Sequence, residues 1–131
     1  MPDYTKKNVS EIKDSAQEFG IGDIQEARFP GKDLGAKETG VGHLRVKPGK
    51  RQAFGHQHDE AEEVYFIVAG SGRVKLDDEI VELQKDDFVR VSPQVKRRFE
   101  ADDDGLEFVV FGTSHEGDGD IDPEFWSPDD D

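Results

Sequence analysis

Two histidines and a glutamate stand close together in the segment GHQHDEAEEVYFIVAGSG, residues 55–72. His56 and His58 are separated by one residue, so in an extended strand their imidazoles point to the same face, about 6.6–7 Å apart. Glu63 opens the apolar run that follows, and a turn at DEAE would fold its carboxylate back opposite the histidines. Two imidazoles and one carboxylate form a ligand set that suits Mn, Fe, Ni, Co, Cu or Zn. The alternative is that the histidines are only polar residues near a strand end.

Short apolar segments punctuated by Gly, Pro and Asp fill the chain after residue 24. They read DIQEARF, ETGVGHLRV, EEVYFIVA, RVKL, EIVEL, DFVRV and GLEFVVFG. Short strands with turns about every ten residues are typical of an all-β sandwich or barrel. We therefore predict a barrel over residues 24–113, preceded by an N-terminal arm (1–23) with a short helical or extended segment.

The segment EEVYFIVA carries apolar residues on both faces of its predicted strand. Tyr65 and Ile67 share a face with Glu63, whereas Val64 and Phe66 lie on the other face. A single sandwich buries one face by itself, so the second face needs the N-terminal arm or another subunit to cover it. This pattern predicts a homodimer.

Charge and composition exclude several classes of function. The net charge is −14, and an acidic surface repels phosphate backbones, so we expect no nucleic-acid partner. The chain has no cysteine, which excludes disulfides, thiol catalysis and zinc–thiolate sites. Because no long apolar run is present, near the N-terminus or elsewhere, we expect a cytoplasmic protein with no membrane association.

Residues 114–131 form a predicted acidic tail, partly disordered, with eight acidic residues and no Lys or Arg. His115 opens this tail and is expected to face solvent. Phe125 and Trp126 are unusual in such a polar segment. They either dock on the barrel or bind a partner, and docking is favoured because exposed aromatic residues have no evident role in a stable monomer.

The segment HQHDEAEEVYFIVAG resembles the first motif of the cupins, H-x-H-x(3,4)-E-x(6)-G. His56, His58, Glu63 and Gly70 occupy the motif positions. The resemblance extends over roughly residues 38–112 and implies a double-stranded β-helix, a jelly-roll barrel with a pocket inside. In that family the two histidines and the glutamate would be metal ligands that project into the barrel.

The second cupin motif, G-x(5)-P-x-G-x(2)-H-x(3)-N, is where the chain departs from the family pattern. The aligned segment DDFVRVSPQVKRRFEAD places an arginine, Arg97 or Arg98, where the family has a fourth ligand, a histidine. Alternation favours Arg97, which shares a face with Phe99, and leaves Arg98 facing solvent. A guanidinium group stays protonated and has no free lone pair, so neither arginine can ligate a metal.

The arginine leaves two outcomes open. In the first, His56, His58 and Glu63 alone hold a divalent metal such as Fe, Mn, Ni or Zn, which keeps positions open for other ligands. In the second, Arg97 pairs with Glu63 and the pocket is free of metal. Arg97 could also hold a carboxylate or phosphate of a ligand, or turn out to solvent without a role.

Three further side chains are candidates to bind a ligand. Tyr65 shares a face with Glu63 and presents its hydroxyl to the cavity or packs in the core. His43 lines the pocket if its face is the inner one, although Leu44 competes for that face, and Gln52 lies where it could shape the mouth.

The resemblance implies a small cupin that binds a small polar or anionic molecule in its barrel, with the metal described above. The alternatives are a metal-free binding or sensory module with an arginine–glutamate pair in the pocket, and a protein whose role is assembly. No feature of the sequence identifies a reaction or a catalytic residue.

Overall fold

The computed structural model describes residues 1–113 and 117–130. In that part of the chain there are a 3-10 turn, two four-residue helices and eight strands. The 3-10 turn is Val9–Glu11, the helices are α1 (Ser15–Glu18) and α2 (Gly31–Leu34), and the strands are β1 (Gln25–Arg28), β2 (Thr39–Val46), β3 (Gly55–His58), β4 (Glu63–Leu76), β5 (Glu79–Gln84), β6 (Phe88–Val91), β7 (Arg97–Thr113) and β8 (Gly119–Asp122). None of the described helices is long and apolar enough to cross a membrane.

The strands form one sheet that curls over into two facing layers. The long strands β4 and β7 pair with each other in both layers. The first layer runs β1-β2-β7-β4-β6, and the second runs β8-β3-β7-β4-β5, with every pair antiparallel. This architecture confirms the predicted all-β jelly-roll barrel.

Glycines let β4 pass from one layer to the other. Gly70 has a φ angle of +78°, and a Cβ atom there would clash with the carbonyl oxygen of Gly105. A Cβ atom on Gly72 would clash with the carbonyl oxygen of Glu100. The register between β4 and β7 shifts at the same point. The glycine that closes the HxH motif therefore serves the bend and the close approach of the two strands.

The hydrophobic core lies between the two layers. Tyr65 and Ile67 of β4 and Phe99 and Phe108 of β7 are each at most 2% exposed. The ring of Phe99 stacks on Phe108 with centroids 4.4 Å apart, and Tyr65 lies 4.8 Å from Phe99. Phe66 lies on the outer face and stays partly exposed, as the alternation of EEVYFIVA predicts.

The N-terminal arm packs along β1 and carries α1 to one end of the barrel. Ile12 and Ala16 are buried there, at 5% and 2% exposed. The carboxylate of Asp14 caps α1 by accepting a hydrogen bond from the backbone N–H of Ala16, and it accepts another from Ala27 in β1. The arm is thus tied to the sheet at the point where α1 borders the central cavity.

The segment PGKDLG, between β1 and β2, forms the short helix α2. Pro30 precedes the helix, and Gly35 ends it with a φ angle of +71°. A proline before the first turn and a left-handed glycine after the last are ordinary helix boundaries. The segment is therefore one helical turn closed at both ends.

The described part of the C-terminal segment, residues 117–130, folds back onto the barrel. Strand β8 pairs with β3, and Trp126 is only 1% exposed. The guanidinium carbon of Arg51 lies 3.8 Å from the centre of the Trp126 ring. Docking is thus the alternative that the structure shows for Trp126, and the barrel extends beyond residue 113. His115 lies outside the described residues.

Candidate metal centre

His56, His58 and Glu63 converge at one point inside the barrel. The Nε2 atoms of His56 and His58 lie 3.5 Å and 3.3 Å from Oε1 of Glu63. One donor atom from each residue can be chosen so that all lie within 4.8 Å of one another. Their side chains are 17–25% exposed, so the cluster is sheltered but not closed off. The structure therefore brings together the three residues that the motif spacing singles out.

Backbone pairing explains this convergence. Strand β3 lies between β7 and β8, with His56 opposite Arg97 on one side and Ile121 on the other. The turn after β3 returns the chain so that β4 begins at Glu63, facing the histidines. The two imidazoles lie on the same face, as expected for alternate residues of one strand, but their ring centres are only 5.1 Å apart, closer than the expected strand spacing.

The charge states of the cluster suit a cation. Burial acts to raise the pKa of Glu63, but contacts with His56, His58 and Tyr65 outweigh it and hold this pKa well below its usual range. The Tyr65 hydroxyl donates a 2.6 Å hydrogen bond to Oε1 of Glu63. Burial is the main cause that lowers the pKa of His56, and the nearby Arg97 lowers it further. At neutral pH the cluster thus offers an ionised carboxylate and a neutral His56 imidazole.

His58 provides a direct test of whether a metal ion fits. Neither of its buried ring nitrogens has a hydrogen-bond partner among the described residues. Buried polar atoms without partners are rare in folded proteins, and an ion bound at Nε2 would satisfy one of the two. Two imidazole nitrogens and one carboxylate also match the donors that transition metals prefer. The residues present therefore fit a divalent transition metal.

Arg97 points inward on the same face as Phe99, as the alternation predicts, and it is fully buried. Its Nη2 donates to the carbonyl oxygen of Ser92, while Nε and Nη1 have no partner among the described residues. It makes no ion pair with Glu63, whose contacts go to the histidines and Tyr65. Two expectations are therefore wrong: that Arg97 pairs with Glu63, and that it turns out to solvent.

Arg98 does not face solvent, which corrects a third expectation. It is 1% exposed, because the C-terminal segment covers its side of the sheet. Its Nε donates to the carbonyl oxygen of Gln52, and its Nη1 donates to those of Pro123 and Phe125. Arg98 thus ties the C-terminal segment to the barrel.

A cavity of about 320 Å³ opens beside the cluster. Its wall is mostly apolar, and no Lys or Arg of the described chain contributes to it. The aromatic residues of the wall are Phe19, Phe29, Phe54, Tyr65, Phe99 and Phe108. Phe19 and Phe29 are 77% and 53% exposed at the mouth. The cavity therefore offers a mainly apolar surface beside the donor cluster, and Arg97 does not reach its wall.

The three other candidate residues divide between the two faces of the sheet. Tyr65 and Gln52 line the cavity, and the Gln52 amide oxygen also accepts a hydrogen bond from a backbone N–H of β7. His43 does not line it, since Leu44 takes the inner face of β2. Nε2 of His43 instead lies 2.6 Å from Oε2 of Glu107 on the outer face.

A second cavity, of about 420 Å³, reaches the same cluster from the other side. It lies under α2 and β2, and its wall includes His58 and Glu63. Phe29 contributes to both cavities and packs close to Gly42, where a Cβ atom would meet its ring. The donor cluster is therefore accessible from two sides of the barrel.

A family model described as "Cupin domain" matches residues 42–112, more than half of the chain. The chain belongs to the cupin family. Its HxH motif and Glu63 lie within the matched region, whereas α1, β8 and Trp126 lie outside it. Among curated proteins, none matches this cupin.

Solved structures resemble this cupin along most of its length. A cupin protein from Bacteroides fragilis is 24% identical with a TM-score of 0.69, and 89% of each chain is covered. The polyketide cyclase RemF from Streptomyces resistomycificus is 16% identical with a TM-score of 0.72, covering 95% of this chain and 88% of that one. A sugar phosphate isomerase from Silicibacter pomeroyi is 17% identical with a TM-score of 0.69, covering 95% and 96%. At these identities the likeness shows the fold alone.

Asp118 is a residue of the site that the sequence analysis missed. Its carboxylate accepts hydrogen bonds from the backbone of the turn after His58, and Oδ2 lies 3.5 Å from Nδ1 of His58. In the sequence it is one of several aspartates in an acidic segment. The alternation of GDID beside an aromatic pair was the one local sign of a strand there.

Proposed function

We propose that this cupin binds one divalent transition-metal ion, such as Fe, Mn, Ni or Zn, through His56, His58 and Glu63. We further propose that it takes a mainly apolar, ring-bearing small molecule in the adjoining cavity, with a polar group of that molecule directed at the ion. The observation that carries this proposal is the convergence of three donors within 4.8 Å on the wall of that cavity. The cytoplasmic location of this cupin stays a prediction from the sequence.

The chemistry of the proposed site follows from its own residues. A bound ion would act as a Lewis acid on an oxygen of the ligand. Glu63 supplies negative charge, and the hydroxyl of Tyr65 holds that carboxylate in place by donating to it. Because three protein donors leave other positions free, a ligand group can approach the ion from the cavity. The aromatic walls bind the apolar part of the ligand by removing it from water.

The class of ligand is inferred from the cavity wall. Two solved neighbours are named as a polyketide cyclase and a sugar phosphate isomerase, which implies two quite different ligand chemistries. A sugar phosphate needs cationic or hydrogen-bonding groups that face it, and no Lys or Arg of the described chain lines this cavity. The six aromatic rings favour a flat, apolar ligand instead.

Metal analysis tests the proposed site. The purified protein, reconstituted with Zn²⁺, Ni²⁺ or Mn²⁺ and desalted, should retain one equivalent of ion by elemental analysis. His58→Ala should abolish this retention. His43→Ala is the matched control, because His43 also lies beside a carboxylate, that of Glu107, but on the outer face. Equal metal content in wild type and both variants, or none in the wild type, would contradict the proposal.

Calorimetric titration tests the ligand class on the metal-loaded protein. 2-Naphthol, a flat molecule with one hydroxyl group, should bind, and glucose 6-phosphate should not. Phe54→Asp, which places a charge on the cavity wall, should weaken the binding of naphthol and leave the metal content unchanged. The reverse preference would refute the apolar ligand class while leaving the metal site intact.

A further inference from the structure

The carboxylate of Asp118 holds the turn that connects the two parts of the donor cluster. Its Oδ1 accepts hydrogen bonds from the backbone N–H groups of Asp59 and Glu60, at 2.8 and 3.0 Å. Its Oδ2 accepts one from the N–H of Ala61 at 2.9 Å. Three consecutive amides on one carboxylate restrain the turn, and this turn sets how closely Glu63 returns to the histidines.

The same carboxylate lies beside His58. Nδ1 of His58 is 3.5 Å from Oδ2 of Asp118, while Nε2 is 3.3 Å from Oε1 of Glu63. A neutral imidazole carries one N–H, and a carboxylate beside Nδ1 favours the proton at that nitrogen. The lone pair is then on Nε2, which faces the candidate metal centre. A small rotation that shortens the contact with Asp118 would satisfy the unpartnered Nδ1.

Contacts along the C-terminal segment hold Asp118 in this place. The next residue, Gly119, pairs with His58 across β3 and β8. Farther along the segment, Nζ of Lys96 lies 2.8 Å from Oδ2 of Asp122. These contacts bring a residue from outside the matched cupin region to the donor cluster.

We propose that Asp118 is a positioning residue for His58, which it holds with the proton on Nδ1 and with Nε2 directed at the metal centre. The inference rests on the proposed metal function. It means that the C-terminal segment completes this centre, since Asp118 both restrains the turn before Glu63 and orients one of the two imidazole donors. Carboxylates in this position raise the basicity of a histidine ligand.

The first test is the affinity for Co²⁺, measured by optical absorption titration of the metal-free protein. Asp118→Asn should weaken Co²⁺ binding by about 10- to 100-fold, the usual range for a partner of a histidine ligand. Asp120→Asn is the matched control, because Asp120 lies exposed two residues farther along, in β8, and the charge change is identical. Its affinity should stay within about 2-fold of the wild type, since a single exposed charge contributes little. Equal affinities for the two variants overturn the proposal.

The second test reads the tautomer of His58 directly, by nitrogen-15 NMR of the metal-free protein at a pH where the imidazole is neutral. The proton should lie on Nδ1 in the wild type and in Asp120→Asn, and should shift toward Nε2 in Asp118→Asn. A proton on Nε2 in the wild type overturns the proposal, even if Asp118→Asn does not fold. If the wild type binds no Co²⁺, the proposed function fails, and the tautomer then decides whether Asp118 positions His58.

Discussion

Trp126 anchors the C-terminal segment, and we predict that Trp126→Ala lowers the free energy of unfolding by about 3–5 kcal/mol. Its side chain is 1% exposed, with the guanidinium group of Arg51 3.8 Å and that of Arg73 5.3 Å from the ring centre. Nη1 of Arg51 also donates to the carbonyl oxygens of Trp126 and Ser127. Truncation to alanine removes the ring, so that both guanidinium groups lose their contact with it.

The magnitude follows from the buried area and its corrections. A buried tryptophan removes about 150–250 Å² from water, which at about 25 cal/mol per Å² corresponds to about 4–6 kcal/mol. The compactness of the unfolded chain reduces this value by roughly 10–40%. A stacked guanidinium adds about 0.5–2 kcal/mol, whereas the indole N–H, which has no hydrogen-bond partner among the described residues, offsets about 1–3 kcal/mol. The two last effects are similar in size, so the estimate stays near 3–5 kcal/mol.

Urea unfolding followed by far-UV circular dichroism measures this loss. With a slope of about 1.5 kcal/mol per M, the midpoint should fall by about 2–3 M. Phe19→Ala is the control, because Phe19 is 77% exposed and its truncation should change stability by less than about 0.5 kcal/mol. Trp126 is the sole tryptophan of the chain, so its fluorescence reports on the C-terminal segment directly in the wild type.

Two results would refute this reasoning. One is a midpoint for Trp126→Ala within about 0.5 M of the wild type, which would mean that the ring contributes little. The other is a wild-type fluorescence transition at lower urea than the circular dichroism transition. The segment would then detach before the barrel unfolds, and it could not be part of the cooperative core.

Three further predictions concern the bend, the charged network and the outer face. Gly70→Ala should lower the free energy of unfolding by more than about 2 kcal/mol in urea, because φ is +78° and a Cβ atom clashes with a carbonyl oxygen. An unchanged urea midpoint would contradict this prediction. Burial acts to raise the pKa of Glu100, but two flanking arginines outweigh it and lower the pKa from the ordinary 4.5. The ionised Glu100 carboxylate therefore stabilises the fold above about pH 4.5, and this stabilisation is lost as the pH falls through the lower folded-state pKa. The urea midpoints of wild type and Glu100→Gln should accordingly converge in acid. A difference that stays constant with pH would argue against a stabilising contact between Glu100 and the two arginines. Sedimentation equilibrium should show that the wild type is a dimer and that Phe88→Glu is a monomer, since Phe88 is 69% exposed beside the apolar outer face. A monomeric wild type would exclude the predicted dimer.

Local patterns predicted most of the strands, but not how they join. EEVYFIVA and RVKL read as separate strands because GSG between them looks like a turn, whereas the structure joins them into the continuous strand β4. The glycines serve a bend that only the pairing with β7 reveals. The first half of β7, which starts at Arg97, was left out of the predicted strands because its many charged residues hide the strand pattern, although the alternation of Arg97 and Phe99 was used to orient their side chains.

The faces of individual strands were harder to predict. For His43 and Leu44, adjacent residues of β2, either face could have been the inner one, and the choice depends on which partner strands lie on each side. Arg98 reads as solvent-facing because alternation cannot show that a segment from the end of the chain covers it. Burial of both Arg97 and Arg98 is therefore a property of long-range contacts.

The spacing of His56 and His58 was sufficient to predict that they share a face, because the two-residue period of a strand places alternate side chains on one face. The return of Glu63 opposite them was predicted from the turn at DEAE and from the resemblance to the cupin motif. The position of Asp118 was not predictable in this way. It meets the backbone of Asp59 across 59 residues of chain, and local pattern carries no information about such pairing. From its sequence, the acidic segment resembles a solvated tail. In the folded protein it is held in place by the buried ring of Trp126 and by hydrogen bonds with the barrel.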